Sequence, residues 1–126
     1  MAPTIDEVVE RARRRLIRVT PEQAAAELAQ GALLVDTRTE SERAVQGEIP
    51  GAIVIERTVL EWRLDPTSPS RLEQAKDHQV RVIVVCAEGY SSSLAAASLH
   101  DLGLANATDV IGGFEAWKAA GLPIRI

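Results

Sequence analysis

Residues 81–103 read RVIVVCAEGYSSSLAAASLHDLG: an apolar run, the chain's single cysteine, a glycine three positions on, a row of serines, and an Ala-rich stretch closed by Gly103. The consecutive β-formers of RVIVV predict a strand buried on both faces, and SSLAAASLHDLG predicts a helix stopped by its glycine. Very few residues join the two, so the backbone must curl where the strand's carboxyl end meets the helix N-terminus, with amides pointing inward. Such a cup holds an anion. Taken singly, the residues have ordinary explanations: a lone cysteine packs as a small hydrophobe, Gly89 serves a turn, and Ser91 or Ser92 serves as an N-cap. Taken together they favour chemistry at Cys86, because a thiolate there gains from the helix dipole and the amides, which lower thiol pKa values from about 8.5 to roughly 3.5–7.5 in comparable settings. Gly89 permits the curvature where a Cβ would clash or a positive φ is needed.

Outward from this stretch, strands and helices alternate. ALLVD (32–36) and AIVI (52–55) are short apolar runs, and LIRV (16–19) is a further strand candidate. Thr4 with Glu7 forms a capping box ahead of Ile5, Val8, Val9, Ala12 and Leu16 at helical spacing. Thr20 and Pro21 open a helix that ends near Gly31, TESERAV is a polar helical turn, and TVLEWRL is a turn or two of helix. DPTSPS has loop composition, and SRLEQAKDH is expected to be helical with polar faces. After ATDVIGG, the helix FEAWKAAG is capped by Gly121 with Pro123 beyond. Strands alternating with helices predict an α/β domain of three layers, with a mostly parallel central sheet of about five strands flanked by helices. In such a sheet the reactive crevice lies beyond the strands' carboxyl ends, where Asp36 and Cys86 stand.

Composition narrows the function classes. A chain of 126 residues with 46% hydrophobic and 25% charged residues has the size and make-up of one globular domain. No apolar stretch approaches the roughly 18 residues that span a bilayer, so no membrane partner is expected. One cysteine forms no internal disulfide, and the opening MAPTIDEVVERARRRL lacks a signal peptide's apolar core, so a cytoplasmic location is expected. A net charge of −4 offers no general attraction to nucleic acid, and the RARRR run at 11–15 reads as a solvated helix face.

With these motifs in place the chain resembles a rhodanese domain, the sulfurtransferase family whose active-site loop has the form C-x-x-G-x followed by Arg, Ser or Thr. Cys86, Gly89 and Ser91 occupy those positions. LLVDTRTESERAVQGEIPGAIVI resembles the family's V-D-x-R and G-x-I-P-G-A motifs, at Asp36, Arg38, Glu42, Gly47, Ile49, Pro50, Gly51 and Ala52. VIGGFEAWKAAGLPI resembles its closing motif, at Gly112, Gly113, Trp117, Gly121 and Pro123. The resemblance covers residues 16–126 as the rhodanese domain and leaves residues 1–15 as an N-terminal helical extension.

The resemblance implies sulfur transfer through a persulfide on Cys86, from a small donor such as thiosulfate to a thiol or cyanide acceptor, with a persulfide-carrying protein as a further partner. It implies no metal and no organic cofactor. Ala87, Glu88, Gly89, Tyr90, Ser91 and Ser92 would form the active-site loop, with a Ser91 hydroxyl donating to the persulfide. Asp36 and Arg38 would brace the loop from the neighbouring strand. Arg57 and Arg63 are the nearest candidates for binding a sulfonate. Glu88 is a departure, since a carboxylate two residues from the thiol should raise its pKa and repel a dianionic donor. Two other classes share the fold: a phosphatase, whose longer C-x-x-x-x-x-R loop would need arginine where this chain has Ser92, and a non-catalytic rhodanese-like binding or regulatory module, which has no need of the cysteine.

Overall fold

A computed structural model describes residues 1–126. Four parallel strands form its sheet: β1 (Leu33–Asp36), β2 (Ile53–Val54), β3 (Val82–Val85) and β4 (Ala107–Asp109), in the order β2-β1-β3-β4. In this register Asp36 lies beside Val85, and Val84 lies beside Asp109. The carboxyl ends of the three longer strands therefore converge, bringing Asp36, Cys86 and Asp109 to one edge of the molecule.

All four β3 side chains are buried, for the reason the unbroken apolar run implies. Successive strand side chains face opposite ways. Val82 and Val84 join a core with Val35, Leu60, Leu64 and Leu99 on one face, while Ile83 and Val85 join Leu34, Ala24, Phe114 and Trp117 on the other. Full burial of each such side chain contributes about 1.5–3 kcal/mol, so the helices are held on both faces largely by these rows. The first face is covered by α4 (Leu60–Leu64) and α5 (Ser91–Asp101), the second by α2 (Pro21–Ala29) and α6 (Gly113–Ala119). Two more helices are capped as their sequences require. Helix α1 (Ile5–Arg14) carries the Thr4–Glu7 capping box, buries Val9 and Ala12, and packs on α5. Helix α3 (Glu40–Gln46) carries a Thr39–Glu42 box and buries no residue.

Two expected elements differ. The LIRV strand is reduced to a single parallel bridge between Val19 and Val110, leaving four strands rather than about five. The Leu16 amide still donates to the Arg13 carbonyl at the end of α1 and Thr20 already N-caps α2, so only residues 17–19 lie between the two helices and the segment has no length in which to extend pairing. The expected helix SRLEQAKDH is a series of turns. Its stretch spends backbone groups on local closures, with the Asp77 carboxylate accepting from the Gln79 amide at 2.8 Å and Leu72 anchored to the Arg63 carbonyl at 2.7 Å. Only Ala75 is fully buried there, too little apolar face to offset helix nucleation.

Candidate active site

Cys86 follows β3 directly and is 5% exposed. Its Sγ accepts from the Gly89 amide at 3.2 Å and the Ser92 amide at 3.3 Å, at the N-terminus of α5. The loop keeps this shape by resting backbone on backbone. Gly89 has φ +86°, and a Cβ there would lie 2.7 Å from the Gly112 nitrogen; Gly113 has φ +59°, and a Cβ there would lie 2.5 Å from the Cys86 carbonyl oxygen. The first amides of α6 then take the loop's carbonyls, Phe114 donating to Cys86 O at 2.8 Å and Glu115 to Ala87 O at 3.1 Å. With its oxygens engaged outward, the loop turns its amides toward the sulfur.

Burial pushes the Cys86 thiol up, but the Ser92 and Ser91 side chains and the Ser92 and Gly89 amides outweigh it and hold the thiol below its ordinary value. The single Ser92 hydroxyl proton has two acceptors in reach, the sulfur and Asp109 Oδ2; the carboxylate, at 2.8 Å, is the stronger. The expectation that Glu88 would raise the thiol is thus outweighed. Glu88 is exposed, where water screens it, whereas the Gly89 and Ser92 amides that help lower the thiol donate to the sulfur itself.

A pocket of about 260 Å³ opens over Cys86, lined by Thr37, Arg38, Glu42, Ala87, Glu88, Tyr90 and Ser91. Its cation is not free to receive an anion. Arg38 is 2% exposed and meets Asp36 through Nε and through Nη2 at 2.7 Å, with further bonds to Gln46 Oε1 and Gly47 O. It also lies 3.9 Å above the Phe114 ring, whose amide holds the Cys86 carbonyl. Asp36 and Arg38 therefore tie the end of β1 to α3 and to the start of α6.

Arg57 and Arg63 stand outside the pocket lining, each with its own partner. Arg57 pairs with Glu61 one helical turn on at 3.0 Å, as the i,i+4 spacing favours, and Arg63 donates to the Ser70 carbonyl at 2.7 Å. The serines also differ from an N-cap. Tyr90 precedes α5 without a side-chain cap, while Ser92 and Ser93, both fully buried, donate to Asp109 Oδ2 at 2.8 and 2.7 Å.

Sequence reasoning passed over Asp109, Arg18 and Arg13. Asp109 is fully buried and also accepts Arg18 Nε at 2.8 Å and Nη2 at 3.1 Å. Arg13, from the run read as a solvated face, donates through Nη2 to the Gly89 carbonyl at 2.8 Å and through Nε to Ser93 Oγ at 3.1 Å, and lies 5.3 Å from the Tyr90 ring centroid. One signal could have found Asp109: it closes a strand, as Asp36 does, and the rule that selected Asp36 and Cys86 selects it equally.

The model of the rhodanese-like domain family matches residues 20–120. The chain is 37% identical over 102 residues to a thiosulfate sulfurtransferase GlpE of Pseudomonas entomophila, covering 81% of this chain and 84% of the relative. It is 35% identical over 106 residues to a GlpE of the same description from Haemophilus influenzae, covering 84% and 91%. Among solved structures, a protein of unknown function from Rhodopseudomonas palustris, described as a possible tyrosine phosphatase, superposes with a TM-score of 0.87 at 31% identity, over 99% of this chain and 96% of the other. A cysteine cradled by loop amides at a strand end, a family match over most of the length and relatives above 30% identity agree: the chain belongs to the rhodanese-like sulfurtransferase family.

Proposed function

We propose that the protein moves sulfane sulfur through a persulfide on Cys86. The observation that carries this is the cysteine sulfur held by the Gly89 and Ser92 amides, with the thiol lowered despite its burial. The thiolate attacks the outer sulfur of a donor such as thiosulfate; the new S–S bond forms as the donor's own S–S bond breaks, and sulfite leaves with that electron pair. An acceptor nucleophile, a thiol or cyanide, then attacks the outer persulfide sulfur and returns Cys86 as thiolate. Both sulfur states are anionic, and fixed amides stabilise them without reorganising. A persulfide-carrying protein is a donor of the same chemistry. The curated relatives' name, thiosulfate sulfurtransferase, supports the donor class.

The two carboxylates at the pocket, Glu42 and Glu88, face a cation already paired with Asp36, which disfavours dianionic donors relative to persulfides of lower charge. The same feature weighs against phosphate ester hydrolysis. Where the longer loop would place its arginine, Ser92 is buried on Asp109. Mass spectrometry after incubation with thiosulfate tests the proposal: a gain of one sulfur atom on Cys86, lost on adding cyanide, is the expected result. No sulfur gain with thiosulfate or with a low-molecular-weight persulfide would leave the protein a binding module.

A further inference from the structure

Two guanidinium groups grip one carbonyl of the active-site loop. Gly89 O accepts Arg13 Nη2 at 2.8 Å and Arg18 Nη2 at 3.1 Å, and both arginines precede the residues 20–120 that the family model matches. Their charges are not equivalent. Arg18 is neutralised by Asp109 through two contacts, whereas Arg13 meets only the neutral Gly89 carbonyl, the Ser93 hydroxyl and the Tyr90 ring. We propose that Arg13 is a positioning residue for sulfur transfer at Cys86, delivered by the docked α1 helix to hold the Gly89 carbonyl away from the sulfur.

The peptide plane transmits the effect. In a trans peptide the C=O and the following N–H point in opposite directions, and the chain has no cis bond. Holding Gly89 O on the Arg13 side directs the Tyr90 N–H to the other side, and that amide donates to no acceptor within the protein. Gly89 also supplies one of the two amides on Sγ, and Ser93, Arg13's other partner, follows the residue that supplies the second. Freed of Arg13, the loop can rotate the carbonyl dipole toward the anionic sulfur, the opposite of what either sulfur state needs. Charge-assisted hydrogen bonds to a carbonyl are about twice as strong as neutral ones, so Arg18, already shared with Asp109, and the neutral Ser93 hydroxyl, 3.4 Å from the carbonyl and closer to Asp109 at 2.7 Å, replace only part of the hold. Helix α1 is built to deliver this contact: it is capped by Thr4, and Val9 and Ala12 fix it against α5.

The inference rests on the sulfurtransferase reading, but its test does not need turnover. Cys86 is the only cysteine, so iodoacetamide labelling reports that thiol alone. The experiment compares the pH dependence of labelling in the native protein, Arg13→Gln and Arg15→Gln, with kcat and KM for thiosulfate alongside. Arg15 ties α1 to Asp101 at the far end of α5 at 2.7 Å and does not meet the loop. Arg13→Gln should slow labelling at pH 7 on the order of fivefold, the scale of losing part of a charge-assisted hydrogen bond. It should also raise the midpoint of the labelling profile and lower kcat more than it changes KM, while Arg15→Gln matches the native protein in all three. A native midpoint and kcat in Arg13→Gln, or an equal shift in Arg15→Gln, overturns the proposal. If native protein takes up no sulfur, the functional reading fails on its own, and the labelling profiles still decide the role of Arg13.

Discussion

Gly113→Ala should disable the site and much of the fold together, and its cost can be built from two features of the position. The residue has φ +59°, a left-handed conformation that costs an L side chain about 1–2 kcal/mol. The added Cβ would lie 2.5 Å from the Cys86 oxygen, 2.7 Å from the Gly89 nitrogen and 2.9 Å from the Ala87 carbonyl carbon, all backbone atoms that no rotamer change can move aside. Overpacking of this kind costs typically about 1–3 kcal/mol. Together they remove roughly 2–5 kcal/mol from a total of about 5–15 kcal/mol. With a urea m-value of about 2 kcal/mol/M, the unfolding midpoint should fall by roughly 1–2.5 M. Relief of the overlap must move the loop off the Gly112–Gly113 turn, so the Gly89 and Ser92 amides leave the sulfur and iodoacetamide labelling at pH 7 should slow. Gly121→Ala provides the comparison. It has φ +72° but nothing within 4 Å, so it carries the conformational cost without the overlap and should label as the native protein does. A Gly113→Ala protein that unfolds no earlier than Gly121→Ala and labels at the native rate would refute the claim that this backbone contact shapes the cup.

Glu88→Gln should lower KM for thiosulfate about two- to fivefold in dilute buffer, with the gain vanishing toward 1 M salt as the Debye length falls to about 3 Å; steady-state kinetics across ionic strength, with a singly charged persulfide donor for contrast, check this. Asp109→Asn leaves Arg18 with only 15% exposure beside a neutral amide and unsettles Ser92 and Ser93, so urea unfolding should show a loss of about 2–4 kcal/mol, near the lower end of the range for breaking a buried pair. Cys86 has a lowered pKa when folded, so the unfolded chain binds more protons between the folded value and the ordinary thiol value of about 8.5. Native stability relative to Cys86→Ser should therefore rise with pH across that interval and flatten above it, and be lost as pH falls through the folded value; urea midpoints for both proteins from pH 5 to 9.5 measure it.

How much of this was legible in the sequence depended on whether the cause was local. The strand–loop–helix around Cys86 could be read because apolar run, glycine and helix stop lie within one stretch, and the Thr4 and Thr20 caps are each settled within three residues. The LIRV strand and the SRLEQAKDH helix depend on context that local pattern does not carry: one is squeezed between the end of α1 and the cap of α2, and the other lacks a buried face. Site electrostatics were least legible. Arg57, a candidate for binding a sulfonate by sequence, is held by Glu61, whereas Arg13, part of a solvated face by sequence, bonds a carbonyl 76 residues away. Charge counting along the sequence treats these arginines as equals. The fold separates them by what each meets: Arg57 and Arg18 meet carboxylates that cancel their charge, Arg38 is buried against Asp36, and Arg13 alone reaches the loop without one. A cup that must hold an anionic sulfur beneath the pocket carboxylates Glu42 and Glu88 needs its compensation from fixed amides and from a cation behind the loop. A free cation in front, on the pocket side, would instead favour the dianionic donor and bring the site closer to an oxyanion trap than to a carrier of one sulfur atom.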